Sequence, residues 1–183
     1  MRVVAGTARG RRLVGPRGSA TRPTSDRVRE AVFDILASLE AAGAARVGGA
    51  EVVDLYAGTG AMGIEALSRG AAGATFVETD PAAVLAIETN LAATGLGPGH
   101  VVRRDVDAFL RSGAVRSRPG PFDLAFCDPP YGFEGWDDLL AALPARLVVA
   151  EAGAPIPSRA GRPLIRSRRY GGTVVELLGE PER

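Results

Sequence analysis

Residues 52–63, with the sequence VVDLYAGTGAMG, join an apolar strand-like run to a helix-like run through a glycine-rich turn. Glycines at 58, 60 and 63 give the spacing G-x-G-x-x-G. Glycines allow a sharp turn and the close approach of a ligand, and the start of the following helix offers free N–H groups. The stretch therefore predicts a strand, a ligand-binding loop and a helix within an α/β sheet.

Strand-like and helix-like patterns alternate after this loop. The predicted strands cover 52–56, 74–78, 100–104, 122–127 and 146–150, and the predicted helices cover 61–69, 81–94, 106–111 and 136–143. This alternation predicts an open parallel sheet with helices on both faces, in which ligands bind at the carboxyl ends of the strands. Two further strands, 164–168 and 173–178, predict an antiparallel edge.

The first 45 residues show a different pattern. Residues 2–5 and 11–14 predict the two strands of a hairpin, because turn residues separate them. Apolar residues at helical spacing from Val28 to Leu39 predict an amphipathic helix, with Arg27 and Arg29 on its polar face. We therefore predict a basic extension over 1–45 and a sheet domain over 46–183.

Charge is unevenly distributed along the chain. Residues 1–30 hold eight arginines and two acids, a net charge of +6, whereas the whole chain carries +1. All 22 basic residues are arginine, which reflects a general compositional bias, but their concentration at one end indicates a polyanionic partner.

There is no apolar run of membrane-spanning length and no secretory signal, so a reducing cytoplasm is expected. One cysteine and one histidine exclude a zinc site built from these residue types.

Carboxylates lie at or near the ends of the predicted strands. Glu78 could accept hydrogen bonds from ribose hydroxyls, which would equally suit a nicotinamide dehydrogenase. Asp54, inside its strand, favours a ligand with a cationic amino group, such as the methionine part of S-adenosylmethionine, or else holds the glycine turn. Asp105 could reach an adenine amine, or else serves as a strand-end or cap residue.

Residues 127–133, CDPPYGF, follow a buried-type strand. Pro129 and Pro130 stiffen the segment and remove two N–H groups, so we expect its carbonyls to lack competing donors. Asp128 and these carbonyls could then grip an exocyclic amine and orient its lone pair. Tyr131 could stack on a base taken out of its helix.

The combination of D-P-P-Y with the loop D-x-x-x-G-x-G resembles the S-adenosylmethionine-dependent amino methyltransferases of nucleic acids. Residues 21–30, TRPTSDRVRE, and 54–70, DLYAGTGAMGIEALSRG, are similar to motifs of the RsmD family. The resemblance implies a Rossmann-like methyltransferase sheet, mostly parallel, with an antiparallel edge strand. It also implies methyl transfer to N2 of guanine 966 in 16S ribosomal RNA.

The resemblance also implies roles for individual residues. The cofactor S-adenosylmethionine would contact Asp54, Tyr56, Gly58, Gly60, Glu78 and Asp105. The target amine would meet Asp128, Pro129, Pro130 and Tyr131. RNA phosphates would meet Arg9, Arg11, Arg12, Arg22, Arg27 and Arg29. The expected partner is 16S ribosomal RNA within a small-subunit particle, with no metal and a monomeric enzyme.

Three other interpretations stay open from the residues alone. D-P-P-Y also fits an adenine-N6 methyltransferase. G-x-G-x-x-G also fits an NAD-dependent oxidoreductase, although the chain offers no obvious acid–base pair and His100 is its only histidine. A basic extension on a small sheet would also suit an RNA-binding module without catalytic activity.

Overall fold

One sheet of seven strands organises the part of the chain that the structure, a computed structural model, describes, namely residues 1–16 and 26–181. Its spatial order is β3-β2-β1-β4-β5-β7-β6. The strands are β1 Glu51–Leu55, β2 Gly73–Glu78, β3 Gly99–Arg103, β4 Phe122–Cys127, β5 Ala145–Ala152, β6 Leu164–Tyr170 and β7 Thr173–Leu178. The seven strands predicted for the sheet all form, and β5 and β6 run a few residues beyond their predicted ends.

Helices fill the connections, as the alternation predicts. They are α1 Asp26–Ala41, α2 Ala61–Ser68, α3 Pro81–Thr94, α4 Val106–Leu110, α5 Gly113–Arg116 and α6 Trp136–Ala142. The short helix α5 was not predicted, since four residues are too few for a helical period to show. The long helix α3 begins at Pro81 after the capping carboxylate of Asp80, and Gly95, which has a φ of 68°, caps its end at Thr94.

Strands β1 to β5 are parallel, and β7 runs antiparallel to β5. Strand β6 runs antiparallel to β7, at the outer edge. Leu55 at the end of β1 pairs with Val77 of β2 and with Cys127 of β4. The residues that follow these three strands therefore meet at one edge of the sheet. The predicted α/β architecture with an antiparallel edge is confirmed.

Each face of the sheet carries its own apolar core. The first core joins the N-terminal segment, α1, α2 and α3 to one face, and Val3, Phe33 and Phe76 lie in it. The second core joins α4, α5 and α6 to the other face, and Trp136 lies in it. Burying one such side chain contributes about 1.5–3 kcal/mol. The N-terminal segment therefore shares a core with the sheet, and its division from residues 46–183 stays a prediction.

The N-terminal hairpin differs from its predicted form. Arg2 and Arg12 form one isolated bridge instead of two four-residue strands. The reason is that the backbone N–H groups of Val4 and Ala5 donate to the carboxylate of Glu65 on α2, at 2.8 and 2.9 Å. These two N–H groups therefore hold the hairpin on α2 and cannot form hydrogen bonds between two β-strands.

Contact with α2 is close at the turn of the hairpin. A Cβ at Gly6, whose φ is 80°, would lie 1.8 Å from the carbonyl oxygen of Ser68, so this position requires glycine.

In the described residues no helix is long and apolar enough to cross a membrane.

Candidate active site

The glycine loop lies between β1 and α2, where the sequence predicts it. Gly58 and Gly60 have φ values of 55° and 73°, and Gly60 caps the start of α2. Gly63 serves a different purpose, since a Cβ there would lie 2.4 Å from the Phe76 ring. The first two glycines therefore shape the turn, and the third allows α2 to pack directly on β2.

Asp54 lies beneath this loop and is 4% exposed. Its Oδ2 accepts a hydrogen bond of 2.9 Å from the N–H of Gly63. Burial is the main cause that raises the pKa of Asp54 to about 8, with smaller contributions from the charges of Asp128 and Glu78 and against the lowering effect of that hydrogen bond. Asp54 therefore holds the glycine turn, which was one of its two predicted roles.

Glu78 closes the loop from the neighbouring strand. Its Oε2 accepts a hydrogen bond of 2.8 Å from the N–H of Gly58. Its Oε1 accepts from the N–H groups of Thr79 and Asp80, at 2.7 and 3.0 Å. These bonds hold the carboxylate at the mouth of the loop, and contact with a ribose stays a prediction.

Asp105 follows β3 at the same edge of the sheet and is exposed. Its Oδ1 accepts a hydrogen bond of 3.0 Å from the N–H of Ala108, which makes it the cap of α4. The structure therefore gives it the cap role that sequence analysis allowed, and contact with an adenine stays a prediction.

Tyr56 follows β1 with a φ of 57°, an uncommon value for a non-glycine residue. Its ring meets Phe133 edge-on, with centroids 5.9 Å apart, and Phe133 meets Trp136 edge-on at 5.3 Å. Burial raises the pKa of Tyr56 to about 12, so its hydroxyl stays protonated at neutral pH. These three rings connect the end of β1 to the segment after β4.

Phe133 was missed by the sequence analysis, although it stands only two residues after Tyr131. An aromatic residue directly after a glycine turn was the available signal. The side chain is partly buried and packs on the second core. Its contacts show that the segment after β4 is anchored by a ring as well as by prolines.

The segment 128–133 forms a tight turn at the end of β4. The N–H of Phe133 donates to the carbonyl of Pro130 at 3.2 Å, and Gly132 has a φ of 77°, the arrangement of a type II turn. The prediction that both proline carbonyls lack competing donors is therefore wrong for Pro130. Its carbonyl is used within the turn, and Pro130 contributes stiffness.

Two side chains of this turn face outward. Asp128 is exposed directly after β4, and Tyr131 is 92% exposed, an unusual degree for a large aromatic residue. The Tyr131 ring stands beside Gly153, where a Cβ would lie 3.3 Å from its Cζ and Oη atoms. Asp128 and Tyr131 thus offer an acceptor and an aromatic face on one rigid turn.

Arg29 is the predicted site residue that the structure corrects. It is fully buried, whereas the predicted role requires contact with RNA phosphates. The buried stripe of α1 consists of Arg29, Val32, Phe33 and Leu36, which is rotated from the predicted stripe. Arg29 lies four residues before Phe33, so the same helix turn carries both side chains inward.

Three nearby acceptors compensate the charge of Arg29. Its Nη2 donates to the carbonyl oxygen of Arg2 and, at 2.8 Å, to Asp26. Its Nε lies 3.6 Å from Oε2 of Glu65, which is itself fully buried. The residue therefore anchors the hairpin and α1 to α2 instead of contacting a partner.

The other predicted RNA-binding arginines differ in position. Arg9, Arg11 and Arg12 are exposed on the hairpin, and Arg27 is exposed in the first turn of α1. The predicted contact at Arg22 lies outside the described residues. The hairpin is docked on Glu65 and Ser68 of α2, so its arginines lie on the face of the sheet that carries α1 and α2.

Asn90 is a second residue that sequence analysis missed. It lies on α3, is 1% exposed, and its Oδ1 accepts from the N–H of Val14 at 2.8 Å. Its Nδ2 donates to the carbonyls of Val14 and Thr59, both at 3.0 Å. One side chain therefore ties the end of the hairpin to the glycine loop.

The site gathers an acid beneath the loop, an acid at its mouth, and an exposed acceptor with an aromatic face on the adjacent strand. Such a set can bind a cofactor that has a ribose and an amino group, and can position a planar amine beside it. Within residues 1–16 and 26–181, no cluster of three or more His, Cys, Asp or Glu side chains could hold a metal ion.

Comparison with known proteins agrees with this arrangement. The family model described as conserved hypothetical protein 95 matches residues 1–177. Ribosomal RNA small subunit methyltransferase D of Escherichia coli K12 is 39% identical over 131 residues, which are 72% of this chain and 60% of that protein. The chain thus spans about 60% of the length of this curated relative.

Two further relatives extend the match. A Bacillus subtilis protein named as a putative rRNA methyltransferase, YlbH, is 34% identical over 84% of this chain and 79% of its own length. The solved structure of the Escherichia coli protein yhhF, titled a putative methyltransferase, has a TM-score of 0.81 at 31% identity. That match covers 100% of this chain and 99% of the solved one.

Proposed function

This chain belongs to the RsmD family, described as conserved hypothetical protein 95, and we propose that it is an S-adenosylmethionine-dependent methyltransferase of ribosomal RNA. The finer proposal is that it methylates N2 of guanine 966 in 16S ribosomal RNA, within a small-subunit particle. The observation that carries it is the rigid turn after β4, with Asp128 and Tyr131 exposed beside the glycine loop.

The residues around the loop fit this cofactor. Gly58 and Gly60 adopt positive φ values and shape the turn that would receive the cofactor. Glu78 would hold the ribose hydroxyls, with Tyr56 and Asp105 placed at the ends of the adjoining strands. The cofactor supplies an electrophilic methyl group. A cationic amino group bound beside Asp54 would favour the ionised form of this side chain, against the burial that raises its pKa to about 8.

The residues after β4 would act on the base. Asp128 and the carbonyl of Pro129 would accept the two N–H bonds of the exocyclic amine, which fixes the direction of its lone pair. Asp128 would also stabilise the positive charge that builds on the nitrogen during transfer. Tyr131 would stack on the base and hold it out of the RNA helix.

The deciding experiment maps methylated nucleotides in small-subunit RNA incubated with and without the protein. N2-methylguanine at one position supports the proposal, whereas N6-methyladenine would indicate the related adenine chemistry. The Asp128→Asn variant should lose at least 100-fold in turnover. Asp138→Asn, an exposed acid on α6, is the matched control and should retain full turnover.

Two measurements test the other classes. Calorimetric titration with S-adenosylmethionine and with NAD separates a methyltransferase from a dehydrogenase, and tight binding of NAD alone would overturn the proposal. Unchanged turnover in Asp128→Asn would remove this residue from catalysis. A ribosomal substrate would place the protein in the cytoplasm, and we expect it to act as a monomer.

A further inference from the structure

Strand β6 at the outer edge of the sheet carries a group of arginines with no assigned role. Its sequence is LIRSRRY, and Arg166, Arg168 and Arg169 are exposed. Across the described residues, none of the three forms an ion pair within 4 Å. Their charges are therefore available to a partner outside the chain.

Strand register decides which face each arginine occupies. Arg166 pairs with Leu177 and Arg168 pairs with Val175, and both partners lie in the first core. Directly paired residues in antiparallel strands project to the same side. Arg166 and Arg168 therefore lie on the face that carries α1 and the hairpin, whereas Arg169 projects to the other face.

The end of β6 lies at the same edge of the sheet as the turn at residues 128–133, which carries Asp128 and Tyr131 and is called the catalytic turn below. Arg169 pairs with Val174, and Val174 pairs with Ala152 at the end of β5. The next residue, Gly153, adjoins the Tyr131 ring. Strand β6 lies two strand spacings from β5, a distance of about 10 Å. The arginines thus stand on the side of the catalytic turn that is opposite to the glycine loop.

Tyr170 fixes this end of β6. It pairs with Thr173 next to the β6–β7 turn and packs against the first core. Strand β7 is buried along Val174–Leu178, so β6 rests on a rigid neighbour. The basic side chains are consequently presented from an ordered surface and not from a free tail.

We propose that Arg166 and Arg168 form an RNA phosphate-binding strip on the substrate side of the active site. This inference rests on the proposed function, because a base presented to Asp128 needs its flanking backbone held. The hairpin arginines lie on the same face of the sheet, and the strip adds positive charge at the outer edge of that face. Guanidinium groups suit phosphate oxygens because they donate in pairs.

Charge on an edge strand also prevents pairing with a second sheet, and that role predicts different behaviour. If edge protection were the whole role, removing the charges would cause self-association and leave RNA binding unchanged. Glu151, two strands inward on the same face, is 6% exposed, so it is poorly placed to screen a phosphate bound outside. Charge complementarity therefore favours RNA as the partner.

The test compares the full chain with its Arg166→Gln/Arg168→Gln variant. Binding to a 16S ribosomal RNA transcript is measured between 50 and 200 mM salt. Each lost phosphate contact should lower the magnitude of the slope of log K against log salt by about 0.7–0.9. Two contacts should also weaken binding about tenfold near physiological salt. Arg116→Gln, an exposed arginine on α5, is the matched control and should leave the slope unchanged.

An unchanged slope in the double variant overturns the inference, as does an equal change in Arg116→Gln. Self-association of the double variant with an unchanged slope would assign the arginines to edge protection instead. The slope is measured without methyl transfer, so a failure of RNA binding at these arginines can be distinguished from a failure of catalysis. Failure of the unaltered protein to methylate small-subunit RNA or particles would overturn the proposed function alone.

Discussion

Arg29 of α1 and Glu65 of α2 face each other at 3.6 Å with both side chains fully buried. Glu65 also accepts the backbone N–H groups of Val4 and Ala5. We expect Arg29→Ala to lower the free energy of unfolding by about 1–3 kcal/mol, because the carbonyl of Arg2 loses its donor and Glu65 loses one of its two cationic neighbours, while Arg69 still pairs with Glu65 at 2.9 Å. Urea denaturation measures this loss.

The matched control for that variant is Arg27→Ala, on the exposed side of the same helix, which should change stability by less than about 0.5 kcal/mol. The anchoring role of Arg29 would be refuted if both variants were equally stable. A loss of RNA affinity at unchanged stability would restore its predicted role as a phosphate contact.

The raised pKa of Asp54 predicts a pH dependence of stability. The unfolded chain releases this proton near 3.8, whereas the folded chain keeps it to about 8. Because the folded state binds more protons between these values, stability should fall as pH rises from about 4 to about 8. In Asp54→Asn the side chain cannot titrate but can still accept a hydrogen bond from Gly63. The decrease in stability that Asp54 causes should therefore be absent from this variant. Denaturation at pH 5 and pH 8 measures it.

The same variant separates the two roles of Asp54. If the carboxylate also favours a cationic amino group, Asp54→Asn should weaken S-adenosylmethionine binding about tenfold while the protein stays folded. A pH dependence equal to that of the unaltered protein would show that Asp54 does not hold the buried proton.

Asn90 couples the hairpin to the glycine loop through three hydrogen bonds. Asn90→Ala leaves the buried carbonyl of Thr59, and the partly buried N–H and carbonyl of Val14, without this partner, which costs about 1–3 kcal/mol. We expect faster tryptic cleavage between Arg9 and Arg12 and weaker cofactor binding. Thr89→Ala, exposed on the same helix, should change neither measurement, and equal cleavage rates in the two variants would contradict the coupling.

Tyr131 is almost fully exposed, so its removal should affect turnover and not stability. Tyr131→Ala should lower kcat/KM about 10- to 100-fold, since stacking on one base is worth about 1–3 kcal/mol. Tyr131→Phe keeps the ring and should retain most activity. If Tyr131→Ala weakened cofactor binding as strongly as turnover, the residue would support the cofactor pocket instead.

Gly63 and Phe76 give a packing prediction. An added methyl at Gly63 would lie 2.4 Å from the Phe76 ring, so Gly63→Ala should lower stability by about 1–3 kcal/mol. Gly113→Ala on α5 is the matched control, because nothing lies within 4 Å of the new methyl there. It should leave stability unchanged or raise it slightly. Equal thermal midpoints for the two variants would show that α2 can move away from β2.

Local patterns were sufficient to predict much of the site. The glycine loop, Glu78 and Asp128 follow strands whose periodicity is visible in a single sequence, and parallel strands bring their ends to one edge. The details of the turn after β4 were not predictable in the same way. The hydrogen bond between Phe133 and Pro130 depends on the conformation of four residues, and the packing of Phe133 on Tyr56 joins residues 77 positions apart.

By itself, the sequence determined the alternating sheet, the place of the glycine loop and the family to which the chain is similar, because these follow from spacing between near neighbours. Only the tertiary structure decided which arginines are available to a partner. Arg29 is buried because α1 packs beside the hairpin and α2, whereas Arg166 and Arg168 are exposed because their strand ends the sheet. Burial of a charge depends on contacts between distant segments, which residue spacing does not encode.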